Sequence, residues 1–139
     1  MNDVAALIPH TGDMVILDRI IAFDDPRLSA ELVVRSDGLL GGDESSVPAW
    51  VGIEYMAQTI AAYAGMVAKQ ANLPIRLGFL LGTRRYISNV GAFKVGTKLT
   101  INIEKILHDD NLGVFDCRIV GEGIEVTANL NVYQPPHKI

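Results

Sequence analysis

Two side chains that could do chemistry lie close together. Glu54 and Gln58 interrupt Pro48 to Gln70 (PAWVGIEYMAQTIAAYAGMVAKQ), the longest run of helix-compatible apolar residues in the chain. Four apart, they stack on one face of a helix. A carboxylate in an apolar wall is costly unless it is paired, neutralised or used, so Glu54 is the first candidate for an acid or base. Of the three histidines, only His10 sits in a motif-like setting, Ile8-Pro9-His10-Thr11-Gly12-Asp13. His108 falls in a polar hairpin stretch and His137 in a tail, both read as solvent-exposed. Cys117 alternates with Phe115 and Ile119 and reads as core, with no base nearby to activate it. Asp13, Asp18, Asp43 and Glu44 show no His/Cys spacing that would make a metal site, and Gly41-Gly42 lacks the lysine and glycine spacing of a phosphate loop. No metal and no cofactor are therefore expected. Trp50, at the start of the apolar run, reads either as lining for a substrate tunnel or as plain core packing. Arg84-Arg85 could meet a phosphate or an acidic partner, or simply end a strand in solvent.

These residues need elements to position them. Ser45 and Ser46 can cap a helix and Pro48 suits its first position, so the helix is predicted from Pro48, closed by Asn72-Leu73-Pro74. Val4 to Ile8 suits a helical turn. Met14 to Phe23 and Leu28 to Arg35 read as strands around the Asp24-Asp25-Pro26 turn, and a long polar loop spans Ser36 to Val47. After the helix come strands over Arg76 to Ile87, Thr97 to Leu107, Val114 to Val120 and Ile124 to Val132, with Phe93 to Gly96 and His108 to Gly113 as turns. Gly78 and Gly82 suggest a bulge or a close backbone approach, which places Gly82 beside Gln58 and Trp50 among candidate substrate-binding and supporting residues. Leu99, Ile101 and Ile103 alternate with polar neighbours, as do Val126, Ala128 and Leu130, so one sheet face is apolar and needs a cover. The fold class is α+β: one long central helix wrapped by a curved, mainly antiparallel sheet of about six strands, the hotdog architecture.

The totals agree. At 139 residues with 49% hydrophobic content, the chain is expected to be a single domain, 1–139, with a real core. A net charge of -4 and no basic cluster beyond Arg84-Arg85 argue against nucleic acid as a partner. One cysteine and no basic, apolar leader fit a reducing cytoplasm. Trp50 to Ala68 is nearly long enough to cross a bilayer, but Glu54 and Gln58 inside it are expensive in lipid, so no membrane span is expected.

Several stretches resemble the 3-hydroxyacyl-[acyl-carrier-protein] dehydratases of type II fatty acid synthesis. Ile8-Pro9-His10, then Met14-Val15-Ile16-Leu17-Asp18-Arg19, is similar to that family's "PHR-x-P-x-LLVDR" opening. Pro48, then Glu54-Tyr55-Met56-Ala57-Gln58, resembles its "PG-x4-E-x-MAQ" helix start at the same spacing. Phe79 to Tyr86, then Phe93 and Gly96, resembles its strand ending in "F-x-x-P-V-x-PGD". Order and spacing match over most of the chain, and the match looks like the divergent ApeP-type branch linked to aryl-polyene pigment pathways. The resemblance implies removal of water from 3-hydroxyacyl thioesters carried on acyl carrier protein. A histidine would take the α-proton, and Glu54, its pKa raised by burial, would protonate the departing hydroxyl. Gln58 would orient Glu54, and backbone N–H groups at the helix start would polarise the thioester carbonyl. It also implies at least a dimer, because the family's site forms between two protomers. The sequence departs from the pattern at one place. The family's histidine, in "HFPGxPVxPG" fourteen residues before the acid, is replaced here by Leu40.

Three readings follow. His10 enters the site as base and the chain is a dehydratase. A related hotdog chain supplies the histidine in a heterodimer, with this chain completing the site. Or the chain is a thioesterase in which Glu54 activates water or attacks the thioester carbonyl.

Overall fold

The computed structural model describes residues 4–8, 15–35, 45–74, 78–109 and 111–134, with backbone alone at Phe79 and His108. His10 and its turn, most of the polar loop including Leu40, and the tail bearing His137 lie outside the described residues. Among the described residues, eight strands and one long helix follow in the order β1 (Arg19–Asp24), β2 (Arg27–Val33), β3 (Ser46–Pro48), α1 (Gly52–Gln70), β4 (Phe79–Ser88), β5 (Ala92–Lys94), β6 (Lys98–Asp109), β7 (Leu112–Gly121) and β8 (Ile124–Tyr133). Six strands form one sheet in the order β1-β2-β6-β7-β8-β4, with each neighbouring pair antiparallel. The long helix packs against this sheet, which is the hotdog arrangement.

The alternation of the sequence sets which face meets the helix. Across the sheet, Leu28 pairs with Ile103, Ile103 with Cys117 and Cys117 with Ala128; on the next inward row Ala30, Ile101, Ile119 and Val126 lie side by side. All of these are buried. Each large aliphatic side chain buried this way contributes roughly 1.5–3 kcal/mol relative to exposure. On α1 the side chains of Tyr55, Met56, Ile60, Tyr63 and Met66 meet that surface. Tyr63 packs edge-on against Phe115 at 5.6 Å and donates its hydroxyl hydrogen to Asp25 in the β1–β2 turn. No helix among the described residues is long and apolar enough to cross a membrane.

The helix ends as the sequence suggests. Asn72 takes the left-handed conformation (φ 57), its N–H reaches Lys69 O, and Leu73 N–H reaches Ala68 O at 2.8 Å. This satisfies carbonyls left over at the helix end, and Pro74 then follows. The helix start differs from expectation. Pro48 is not helical: at φ -60, ψ 145 it ends β3, a 3-10 turn over Ala49–Val51 intervenes, and no side chain caps either segment. The cause is tertiary pairing. Val47 faces Phe93 and Pro48 faces Ala92 in a two-stranded ribbon, so Phe93, expected in a turn, lies on β5 and is fully buried. The helix is also not apolar all round. Ile53, Glu54, Ala57, Ala61 and Ala64 form a half-buried stripe ending at exposed Val67.

Candidate functional site

The helix start is clamped from three sides. Ala49 N–H donates to Gly91 O at 3.0 Å, the Tyr86 hydroxyl donates to Ala49 O, and the β3–β5 ribbon holds the incoming chain. Tyr86 can approach because residue 52 is glycine: a Cβ there would stand 2.2 Å from the tyrosine oxygen. Burial, with Tyr55 adding to it, pushes the Tyr86 phenol up to about 12, so it remains a hydrogen donor at neutral pH. Nothing in the local sequence marks Tyr86 for this task, because its partner lies thirty-seven positions away. Its place beside the bulge-forming stretch of β4 is the one available sign.

Glu54 follows on the first turn of α1, half-buried rather than sealed in the core. Its carboxyl group lies in the first turn, beside the backbone N–H groups of the helix start. Trp50 precedes it on the 3-10 turn with 59% of its surface open, which removes plain core packing as its role within this chain. Gln58, one turn after Glu54, is completely buried, and its Oε1 accepts the Ile16 N–H at 2.9 Å. That bond ties α1 to the segment downstream of His10. Arg35 holds the same segment from the other side, donating to Val15 O at 3.2 Å and to Ile16 O at 2.9 Å. Asp18 then accepts the Val33 N–H at 2.6 Å, and Asp18 N–H reaches Glu31 O. The structure thus gathers Glu54, Trp50, Gln58 and the stretch after His10 at one end of α1.

Gly82 lies on β4 at a bulge, where the register with β8 shifts between Leu80 and Gly82. The bulge agrees with the sequence, whereas a close approach does not: a Cβ on Gly82 would meet nothing within 4 Å. Cys117 is buried in the core, as its alternation with Phe115 and Ile119 suggests, and burial and the neighbouring Asp116 push its thiol up to about 12, away from the thiolate form. Among the described residues no group of three His, Cys, Asp or Glu is placed to hold a metal ion. The geometry offers a carboxyl group at a helix N-terminus, a firmly held helix start and an aromatic side chain open to a ligand or partner. That set can give a proton to a leaving group, and its backbone N–H groups can stabilise charge on a carbonyl oxygen.

Comparison with known proteins adds to this picture. The family model for ApeP-like proteins, described as ApeP dehydratase, matches residues 2–139. Among solved structures, a chain of the dehydratase heterocomplex ApeI:P from Xenorhabdus doucetiae is 33% identical with a TM-score of 0.89, covering 98% of this chain and 93% of that one. A hypothetical thioesterase with coenzyme A from Streptococcus pneumoniae TIGR4 is 14% identical at TM-score 0.63, covering 87% and 88% of the two chains. The E. coli PaaI protein is 13% identical at TM-score 0.61, covering 88% and 82%. The last two show likeness of fold alone. No curated protein matches the chain.

Proposed function

This chain belongs to the ApeP-like dehydratase family, and from that premise we propose that it works in the removal of water from 3-hydroxyacyl thioesters carried on acyl carrier protein, paired with a related hotdog chain in the cytoplasm. Glu54 is the general acid. It gives its proton to the C3 hydroxyl, which leaves as water, while a histidine takes a proton from C2 and the electron pair of that C–H bond forms the trans-2 double bond. Backbone N–H groups at the start of α1 stabilise the charge that develops on the thioester oxygen.

His10 is the proposed base. The support is the bond between Gln58 and Ile16, which pins the segment after His10 one helical turn from Glu54. The six residues back to His10 span at most about 20 Å when extended, enough to reach Glu54. Trp50, open at the same end of the helix, lines the acyl path or the partner's surface. The observation that carries the reading is Glu54 on the first turn of α1, in a chain 33% identical to one from a dehydratase heterocomplex.

The test follows enoyl absorbance with a 3-hydroxyacyl pantetheine thioester, using the chain alone and together with its co-purifying hotdog partner. Glu54→Gln should lower kcat by about 100-fold or more, and His10→Ala should do likewise. Full activity in Glu54→Gln would overturn the assignment of the acid. Full activity in His10→Ala would move the base to the partner. Free thiol without enoyl product would replace dehydration with thioester hydrolysis.

A further inference from the structure

The proposed pairing with a different hotdog chain raises the question of what stops this chain from pairing with itself, and the following inference rests on that pairing. β4 is an outer strand of the sheet: it bonds to β8 on one side, and no described strand bonds to the other. It is ten residues long and exposes Leu81 at 60% and Ile87 at 62%, with Leu80 also open. A long, apolar, unpaired edge is a template for another strand. The opposite edge, β1, is six residues long, and its Arg19 is already ion-paired with Glu31.

Arg84 and Arg85 lie at the middle of that open edge. Four described arginines, Arg19, Arg27, Arg35 and Arg118, each have a carboxylate within ion-pair distance. Arg84 and Arg85 are exposed, and among the described residues neither has one. The backbone is unusual at the same place. The register with β8 shifts between Arg84 and Ile87, and Arg85 holds φ 53, a left-handed conformation that side chains other than glycine seldom take. Bulges of this kind re-aim side chains and recur where an edge is managed for recognition.

Symmetry supplies the consequence. Two copies pairing through β4 would be antiparallel about a two-fold axis. Each side chain keeps its own face of the sheet under that axis, so paired positions differ by an even number; with the strands overlapped to within one residue, Leu80 of one copy faces Ser88 of the other and the axis passes through Arg84. Arg84 of one copy then faces Arg84 of the other, each Arg85 stands one residue on, and β4 carries no carboxylate among them. Like charges placed opposite each other destabilise strand pairing, whereas an edge carrying Asp or Glu at those positions would turn the same groups into cross-strand ion pairs.

We propose that Arg84 and Arg85 select the partner of β4, opposing pairing of this chain with its own copy and favouring a hotdog chain whose edge strand presents carboxylates. The test needs only this chain, with a charge-reversed copy standing in for the partner. Native mass spectrometry and sedimentation equilibrium would compare the wild type, R84Q/R85Q, R84E/R85E and an equimolar mixture of wild type with R84E/R85E. The wild type alone should stay monomeric and R84Q/R85Q should self-pair. In the mixture the mixed dimer should form about tenfold in preference to either self-pair at low salt. The preference should vanish near about 1 M salt, where the screening length falls to about 3 Å. Wild type that self-pairs as tightly as R84Q/R85Q, or a mixture without preference, would overturn the selector. Failure of the dehydratase reading looks different: charge-dependent pairing would persist while the assembled heterodimer formed no enoyl product.

Discussion

Gln58 shows how a single side chain can join the helix to the segment that bears the candidate base. It is the larger of two fully buried polar side chains among the described residues, and the other, Thr59, returns its hydroxyl to Tyr55 O on its own helix. Gln58 instead reaches across to Ile16 N–H, forty-two positions earlier. Removing the acceptor leaves a part-buried donor unpaired, a cost of about 1–3 kcal/mol. Gln58→Leu, close in volume and helix propensity, should lose that much in denaturant unfolding and should also strip hydrogen-exchange protection from the Ile16 amide. Unchanged protection at Ile16 would refute the tether. The spacing of Glu54 and Gln58 is visible in the sequence because helical geometry is local. The partner of Gln58 is not, because a backbone N–H leaves no mark in residue types. The half-buried position of Glu54 in the single chain has a related cause: the stripe through Ala57, Ala61 and Ala64 is apolar in sequence, and only the packed structure shows which apolar positions the sheet leaves uncovered.

At the scale of elements, the same contrast separates the long strands from the helix start. The alternation in β6, β7 and β8 spans ten or more residues and yields both strand and inward face directly. β3 and β5 have three residues each, too few for periodicity, and they exist because Val47 and Phe93 are buried together. Pro48 and the serines before it carry ordinary helix-start chemistry, yet the ribbon claims them and hands the start of the helix to Tyr86. This arrangement can be tested as a cycle. Gly52→Ala forces a Cβ against the Tyr86 hydroxyl and the Ile119 side chain, a clash worth about 1–3 kcal/mol. Tyr86→Phe alone should cost about 0.5–1.5 kcal/mol through the lost bond to Ala49 O. In the double variant the oxygen that causes the closest contact is gone, so the two costs should fall short of their sum by at least about 0.5 kcal/mol. Strict additivity in urea unfolding would mean that Gly52 is not glycine for the sake of Tyr86.

For the whole molecule, the layered plan of one sheet over one helix follows from pattern alone, but the strand order does not. β4 comes directly after the helix and crosses to pair with β8 at the far side of the sheet, a choice settled by which edges remain free once the β6–β7–β8 meander has formed. The core that results fixes how stability responds to alkali. Cys117, inward between Ile103 and Ala128, is pushed from its ordinary 9.0 up to about 12 by burial and then by Asp116. Tyr86 is pushed from 10.0 to about 12, and Tyr63 is raised by burial and by Asp25. In every case the folded protein holds the proton more tightly than the unfolded chain. The stabilisation is therefore complete below the unfolded value and is lost as pH rises toward the folded one. Stability should be level near pH 8, begin to fall above about 9 as the unfolded Cys117 thiol ionises, and steepen above about 10 as the tyrosines join. One group can contribute a slope of at most about 1.4 kcal/mol per pH unit. Cys117→Val removes the first of these groups at nearly constant volume. Urea midpoints measured at pH 8, 9, 10 and 11 should then stay level to about pH 10 before dropping, whereas the wild type should already have declined. If the variant declined between pH 9 and 10 as steeply as the wild type, the early alkaline loss would belong to groups outside this core.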